Sequence, residues 1–183
     1  MIGFTALYVL ISAPYAYSSG NSEFIFYIGV LLLLIGLVGW VHKNVQLHTA
    51  CLWMLSAWGL AHMAGGLVHV SDDVGVLYSL WLIPKYLKYD QLVHAFGFGT
   101  STWVVWQCLR ARLDDARPTL GMLFVCLCAG IGLGALNEIV EFLAVLTIPD
   151  TNVGGYTNTG WDLIANLVGA TVAVIAIRIF HRE

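Results

Sequence analysis

Long apolar segments set the strongest constraint on how this chain folds. A helix that crosses a bilayer needs about 20 predominantly apolar residues, because each residue adds only about 1.5 Å along the axis. Five segments approach or exceed that length, and a shorter one near the start is interrupted by Pro14. We therefore predict an all-α fold, a single polytopic transmembrane helix bundle of five to six spans over residues 1–183. The expected spans are approximately 2–17, 24–41, 47–70, 91–109, 119–148 and 163–180.

The composition supports a membrane protein and argues against several soluble classes. Only 10% of the 183 residues are charged and 59% are hydrophobic, whereas ordinary soluble domains carry about 25% charged residues. The formal net charge is −3 and no basic patch is visible, so nucleic acid is not an expected partner. The lipid bilayer is the expected surrounding of most of the chain.

One apolar stretch between the second and third clear spans is not predicted to cross the bilayer. It is SDDVGVLYSLWLIPKYLKYD, beginning at Ser71, and Pro84 interrupts it. Its Trp, Tyr and Lys residues are types that are enriched at the membrane–water interface. We predict a short interfacial helix in this stretch.

The basic residues predict the orientation of the bundle. With five clear spans, six Lys and Arg residues fall on one side of the bilayer and two on the other. The positive-inside rule then places the C-terminus in the cytoplasm, with the protein in the plasma (inner) membrane. Residues 71–88 and 149–160 face outward in this arrangement. The richer side has Lys43, Arg110, Arg112, Arg117, Arg178 and Arg182, and the other has Lys85 and Lys88.

Ionisable residues within the apolar segments need an explanation, because an Asp at the bilayer centre costs roughly 2.5–3.5 kcal/mol on insertion scales. The run LGALNEIVEFLA places Glu138 and Glu141 three residues apart, on one helical face. A capping role explains an Asp at a helix start, and packing explains a lone His, but neither explains these glutamates. Other pairs at helical spacing are His62 with His69, Asp90 with His94, and Asp162 with Asn166.

In the predicted topology these residues converge on the outer leaflet. The helices that begin near Asp90 and Asp162 enter from outside, and the two glutamates lie in the outer half of a helix that exits there. Polar residues buried only for packing would be scattered between both leaflets. We therefore predict one shared site that opens toward the outer leaflet, with residues 149–160 covering its opening.

Histidines and carboxylates together match the ligand preferences of zinc, iron and manganese. The spacing is neither HExxH nor the Glu-x-x-His of bundle-core metal proteins, so it does not specify a metal site by itself. A second interpretation is a proton relay, in which the two glutamates share one proton. In the metal interpretation, the ligands are His62, His69, His94 and Glu141, the catalytic base is Glu138, and the orienting residues or outer ligands are Asp90, Asp162 and Asn166.

The order of four motifs resembles the YjdF-like inner-membrane proteins of bacteria and archaea, a domain of unknown function. The motifs are HMAGGLVH, YDQLVHAFGFG, NEIVEF and NTGWDLIANLVGA, and Glu23 matches an early acidic position of that family. More distantly, the chain resembles VanZ-like membrane proteins, which show Glu-x-x-Gln where this chain has Glu138 and Glu141. The resemblance implies a six-span inner-membrane protein and, for the VanZ-like relatives, a link to cell-envelope lipids or the glycopeptide response.

Three functions fit these predictions. The first is a metal-dependent membrane-embedded hydrolase or lipid-modifying enzyme that acts on a lipid or isoprenoid at the outer leaflet. The second is a proton-coupled transporter or relay, although no inverted repeat is visible. The third is a non-catalytic accessory subunit whose buried polar residues pack against a membrane-protein partner.

Overall fold

The structure is a computed structural model that describes residues 1–114 and 116–181. Within these ranges the chain forms six α-helices, with two small hairpins between the third and the fourth. The expectation of an all-α bundle is therefore confirmed. The helices are α1 (Ile2–Ser18), α2 (Ser22–Val45), α3 (Thr49–Leu67), α4 (Tyr89–Arg110), α5 (Leu120–Thr147) and α6 (Tyr156–Phe180).

Four of these helices, α2, α3, α5 and α6, are long and apolar enough to cross a membrane. Helix α1 is apolar but has only 17 residues. Helix α4 has 22 residues but is less apolar, because it contains several polar residues. Among them, His94, Thr100 and Thr102 are buried inside the bundle. Whether α1 and α4 also span the bilayer stays a prediction.

Local sequence determines where the helices begin and end. The side chain of Asn21 accepts a hydrogen bond from Phe24 N at 3.0 Å and caps the start of α2. Gln46 adopts a left-handed conformation (φ 57°) and ends the same helix. Thr119 caps α5 through Met122 N at 3.3 Å. These signals keep the connections short and bring neighbouring helices together.

Helix α4 lies at the centre of the bundle and packs against α3, α5 and α6. The contact with α6 is close enough to require glycine, since a Cβ on Gly169 would overlap the backbone carbonyl of Ala95. Helices α1, α2 and α3 share a separate apolar cluster around Phe24 and Met63. The polar face of α4 is therefore enclosed by α3, α5 and α6.

The stretch between α3 and α4 differs from the interfacial helix that we predicted there. It forms two antiparallel hairpins on either side of a single three-residue 3-10 helix. Residues with positive φ, Gly75 (76°) and Lys85 (68°), make the chain turn, and Pro84 precedes the second of them. The elements are β1 (His69–Ser71), β2 (Gly75–Val76), the 3-10 helix (Leu77–Ser79), β3 (Trp81–Ile83) and β4 (Leu87–Lys88).

Candidate functional site

A polar cluster lies where the N-terminal halves of α4 and α6 meet the C-terminal half of α5. Its centre is His94, which is only 1% exposed. Helical geometry explains the assembly, because residues three or four apart share one face of each helix. We refer to this group as the His94 cluster, and it consists of His94 with Asp90, Glu138, Glu141, Asp162 and Asn166.

One ring nitrogen of His94, Nδ1, faces α5 and α6. It lies 3.1 Å from Asn166 Oδ1 and 3.4 Å from Glu138 Oε1. Because the amide oxygen of Asn166 only accepts hydrogen bonds, Nδ1 carries a proton and donates it. A neutral imidazole in this tautomer has a lone pair on its other nitrogen.

That other nitrogen, Nε2, faces carboxylates instead of donors. Asp90 Oδ1 lies 3.6 Å from Nε2, and Glu141 Oε1 lies 3.7 Å from it. A lone pair directed at two carboxylate oxygens is repulsive unless a proton or a cation lies between them. The side of His94 that carries Nε2 is therefore a place where a positive charge is stabilised.

The two aspartates of the cluster are joined through an amide. Asn158 Nδ2 donates to Asp162 Oδ2 at 2.6 Å and to Asp90 Oδ2 at 3.2 Å. Lys88 Nζ lies 3.5 Å from the other end of that amide, Asn158 Oδ1. The ammonium group of Lys88 thus bonds the amide and stands at the edge of the cluster.

Several buried polar atoms of the cluster make no hydrogen bond with any described residue. They include both carboxylate oxygens of Glu138, Oδ1 of Asp162 and Nδ2 of Asn166. Glu138 is 9% exposed and Asp162 is 1% exposed. A buried carboxylate without donors is costly, so these atoms indicate that the cluster is completed by protons or by a bound cation.

The structure brings together six of the eight residues that the sequence singled out, but it leaves His62 beside the cluster. The rings of His62 and His94 have centroids 6.2 Å apart. The hydroxyl of Tyr78 donates its proton to the carbonyl oxygen of His62 at 3.1 Å and accepts a hydrogen bond from Nδ1 of the same residue. Burial raises the pKa of the Tyr78 hydroxyl well above its usual range, so this hydroxyl stays neutral.

His69 lies outside the cluster. The expectation that it shares a helical face with His62 is wrong, because α3 ends at Leu67 and His69 lies in strand β1, paired with Val76. Its side chain is 60% exposed, and its Nε2 lies 3.3 Å from Asp72 Oδ1. A spacing of seven residues aligns two side chains only if the helix continues through both.

Sequence reasoning missed two amides that contact the carboxylates. Asn137 Nδ2 donates to Glu141 Oε1 at 2.7 Å, and Asn158 joins the two aspartates. The spacing contained a signal for both, since each amide lies four residues before its partner on the same helix. Asn158 was overlooked because we expected the last helix to begin near residue 163, whereas α6 begins at Tyr156.

The fold and the cluster together define a multi-pass helical membrane protein with a buried carboxylate–histidine centre. The family model described as "Predicted membrane protein (DUF2238)" matches residues 1–183, so the chain belongs to that family. This agrees with the resemblance to YjdF-like membrane proteins. Comparisons with curated proteins and with solved structures gave no significant match.

Proposed function

We propose that the protein is a metal-dependent membrane enzyme that binds a divalent ion at the His94 cluster and modifies a lipid or isoprenoid. The observation that carries this proposal is the position of His94 Nε2, which lies 3.6 Å from Asp90 Oδ1 and 3.7 Å from Glu141 Oε1. An ion between these atoms converts repulsion into coordination. It would also add positive charge beside Glu138 and Asp162, two buried carboxylates with oxygens that no described residue hydrogen-bonds.

The distances support an ion in that position. Ligand atoms about 2.1 Å from one ion lie roughly 3.4–3.6 Å from each other in tetrahedral or trigonal arrangements. The separations from Nε2 are 3.6 Å to Asp90 Oδ1 and 3.7 Å to Glu141 Oε1. One imidazole with several carboxylates is an oxygen-rich set, which favours manganese or iron over zinc.

The opposite side of His94 has the hydrogen bonding that metal-binding histidines normally show. Such a histidine usually donates its other ring N–H to a carbonyl or carboxylate oxygen, which fixes the tautomer and the ring orientation. Here Asn166 Oδ1 accepts from Nδ1, and Glu138 Oε1 lies close by. The ring is thereby held with Nε2 directed at the acidic residues.

The surroundings of the cluster favour a lipid as the substrate. Asp90 and Glu141 are partly accessible, whereas His94 is almost fully buried, so the cluster opens from the side where these carboxylates lie. That opening lies in a bundle whose outer surface is apolar, in a protein of the membrane. A bound metal ion would activate water for hydrolysis or polarise an ester, and Glu138 is the proposed general base.

A proton relay is the second candidate, and one observation favours it. Carboxylates stand on both sides of the same imidazole, Glu138 near Nδ1 and Asp90 near Nε2. A proton can move through such a chain when the ring accepts it on one nitrogen and releases it from the other. In the metal enzyme a bound ion balances the negative charge of the carboxylates, whereas in the proton relay bound protons do so.

Elemental analysis of protein purified in mild detergent without chelator tests the proposal. We expect stoichiometric manganese, iron or zinc in the wild type, and a sharp loss of it in His94→Ala and Glu141→Gln. His69→Ala is the matched histidine control, since His69 lies outside the cluster, and it should retain its metal. Metal-free wild type with an infrared band from a protonated carboxyl would replace the enzyme proposal with the relay.

The proposed lipid-modifying activity is tested by a separate experiment. Metal-loaded protein incubated with envelope lipid extracts should give a new lipid product by mass spectrometry. Glu138→Gln should abolish that product although the protein still binds metal. Full metal binding without any product in lipid or isoprenoid extracts would favour an accessory subunit.

A further inference from the structure

The carboxylates of the His94 cluster form two groups that come from different helices. Asp90 lies in the first turn of α4 and Asp162 in the second turn of α6, whereas Glu138 and Glu141 project from one face of α5. In each group, one ligand atom from each carboxylate and one from His94 lie within 4.8 Å of one another. Two sets of three ligands therefore share one imidazole.

Each group contains a buried carboxylate with unsatisfied oxygens. In the first group it is Asp162, whose Oδ1 has no hydrogen-bond partner among the described residues. In the second group it is Glu138, for which this holds for both oxygens. An ion bound only by the first group would leave Glu138 unpaired, and an ion bound only by the second would leave Asp162 unpaired. A single ion does not resolve both deficits.

The number of negative charges in the His94 cluster also indicates more than one ion. Four carboxylates carry four negative charges when ionised, and one divalent ion neutralises only half of them. The ammonium of Lys88, which bonds Asn158 Oδ1 at the edge of the cluster, contributes one positive charge, so one divalent ion and Lys88 together still leave one negative charge uncompensated. Two divalent ions balance four carboxylates, and buried charge is tolerated only when it is compensated in this way.

We propose that the His94 cluster is a two-metal centre. One ion is held by His94 Nε2 with Asp90 and Asp162, and the other by Glu138 and Glu141. Glu141 Oε1 lies 3.7 Å from Nε2, so this carboxylate would be the link between the two groups.

This inference rests on the proposed function and deepens it in two ways. It changes the role of Glu138 from a free base to a metal ligand. It also narrows the substrate class, because two ions close together stabilise the attacking and the leaving oxygen of a displacement at phosphorus. The substrate is then a lipid or isoprenoid phosphate ester. The oxygen of a water molecule would form a bond to phosphorus while the bond from phosphorus to the ester oxygen breaks, and a proton lost by that water would pass to the departing oxygen, so that phosphate and an alcohol are released.

Manganese stoichiometry on the full-length protein in detergent tests the inference. Metal-stripped wild type titrated with Mn²⁺ should bind two equivalents, and its electron paramagnetic resonance spectrum should show a spin-coupled pair. Asp162→Asn and Glu138→Gln should each bind one equivalent and give an uncoupled spectrum. Asp73→Asn, at an exposed position of the hairpin region, should behave as the wild type.

The possible outcomes separate the inference from the proposed function. One equivalent in the wild type, or full retention of metal in Glu138→Gln, overturns the two-metal centre and leaves a single-ion enzyme standing. No bound metal in the wild type overturns both. If a variant does not fold, the stoichiometry and spin coupling of the wild type still decide the question.

Discussion

Glu23 and Asn152 join the start of α2 to the loop between α5 and α6, although they are 129 residues apart in sequence. Glu23 Oε2 accepts from the backbone N–H of Asn152 at 2.8 Å and from its side-chain amide at 2.9 Å. The carboxylate is only 3% exposed. These two hydrogen bonds, which we call the clasp, fix the loop at the C-terminal end of the helix that carries Glu138 and Glu141.

Loss of this clasp should destabilise the protein. Glu23→Ala removes the charged acceptor of two hydrogen bonds from Asn152, and a hydrogen bond to a charged group contributes about 1.5–3 kcal/mol. Glu23→Gln keeps an acceptor and should lose less. Thermal unfolding in detergent measures the difference, with Asp73→Ala as an exposed acidic control. Equal melting temperatures for wild type and Glu23→Ala would show that the clasp does not hold the loop.

Gly65 should be intolerant of a side chain. A Cβ at this position would overlap the ring of Tyr78, which is the residue that bonds His62. Gly65→Ala should therefore displace Tyr78 and destabilise the fold by about 1–3 kcal/mol, the usual cost of overpacking. Gly36→Ala is the matched control, because a Cβ at Gly36 meets nothing within 4 Å in the part of the chain that the structure describes. A normal melting temperature for Gly65→Ala would contradict the packing of Tyr78.

Tyr78 should also make stability depend on alkaline pH. Its pKa is raised by burial, so the folded protein holds the hydroxyl proton more tightly than the unfolded chain does. The stabilisation is complete below the unfolded pKa of about 10 and is lost as the pH rises above it. Tyr78→Phe removes this contribution and should lose less stability than the wild type between neutral and strongly alkaline pH. Chemical unfolding of both proteins at neutral and at strongly alkaline pH measures this loss of stability. Equal losses in the wild type and in Tyr78→Phe would contradict the prediction.

The periodicity of the sequence predicts the bundle and most of the cluster for one physical reason. Residues within one helix keep a fixed relation to each other, so pairs such as Asp90 with His94, and Glu138 with Glu141, can be read from their spacing. The apolar pattern continues past Leu67, but the backbone of Val68 is already extended (φ −87°, ψ 114°), so α3 ends before His69 and the periodicity no longer applies.

Contacts between distant segments cannot be read in the same way. The clasp between Glu23 and Asn152 joins segments whose spacing in sequence carries no geometric information. The hydrogen bond between Tyr78 and His62 depends on how the hairpin region folds back onto α3. These contacts follow from packing of the complete chain, which no local pattern specifies.

The orientation of the bundle is testable by cysteine labelling on a cysteine-free background. Arg178 donates to the carbonyl of Pro118 at 2.7 Å, so the start of α5 and the end of α6 share one end of the molecule. The positive-inside rule predicts that this end is cytoplasmic. Of the six basic residues behind that prediction, Arg182 lies outside the described residues. A cysteine at position 113 should react from the cytoplasmic side and one at position 154 from the opposite side, and the reverse pattern would invert the orientation.

The last prediction concerns Asn166, which orients His94 but is not proposed to bind metal. Its side chain occupies space that is open only because residue 134 is glycine. A Cβ at Gly134 would lie 2.5 Å from the amide nitrogen of Asn166. Gly134→Ala should push the amide away from His94 Nδ1 and release the ring. Loss of a partner that orients a metal-binding histidine typically lowers metal affinity about 10- to 100-fold. We expect this loss for Gly134→Ala, and the same loss for Asn166→Ala.

Gly132→Ala, two residues away on the same helix, separates this effect from a general effect of alanine in α5. A Cβ at Gly132 meets no atom of the described residues within 4 Å, so this variant should bind Mn²⁺ as the wild type does. The two alanines differ only in whether they reach Asn166, and both fit the helical backbone. Competition of each variant with a fluorescent chelator gives the affinities directly. If Gly134→Ala and Gly132→Ala bind Mn²⁺ equally well, then the bond from His94 Nδ1 to Asn166 does not prepare Nε2 for a metal, because the ring would coordinate equally well without it.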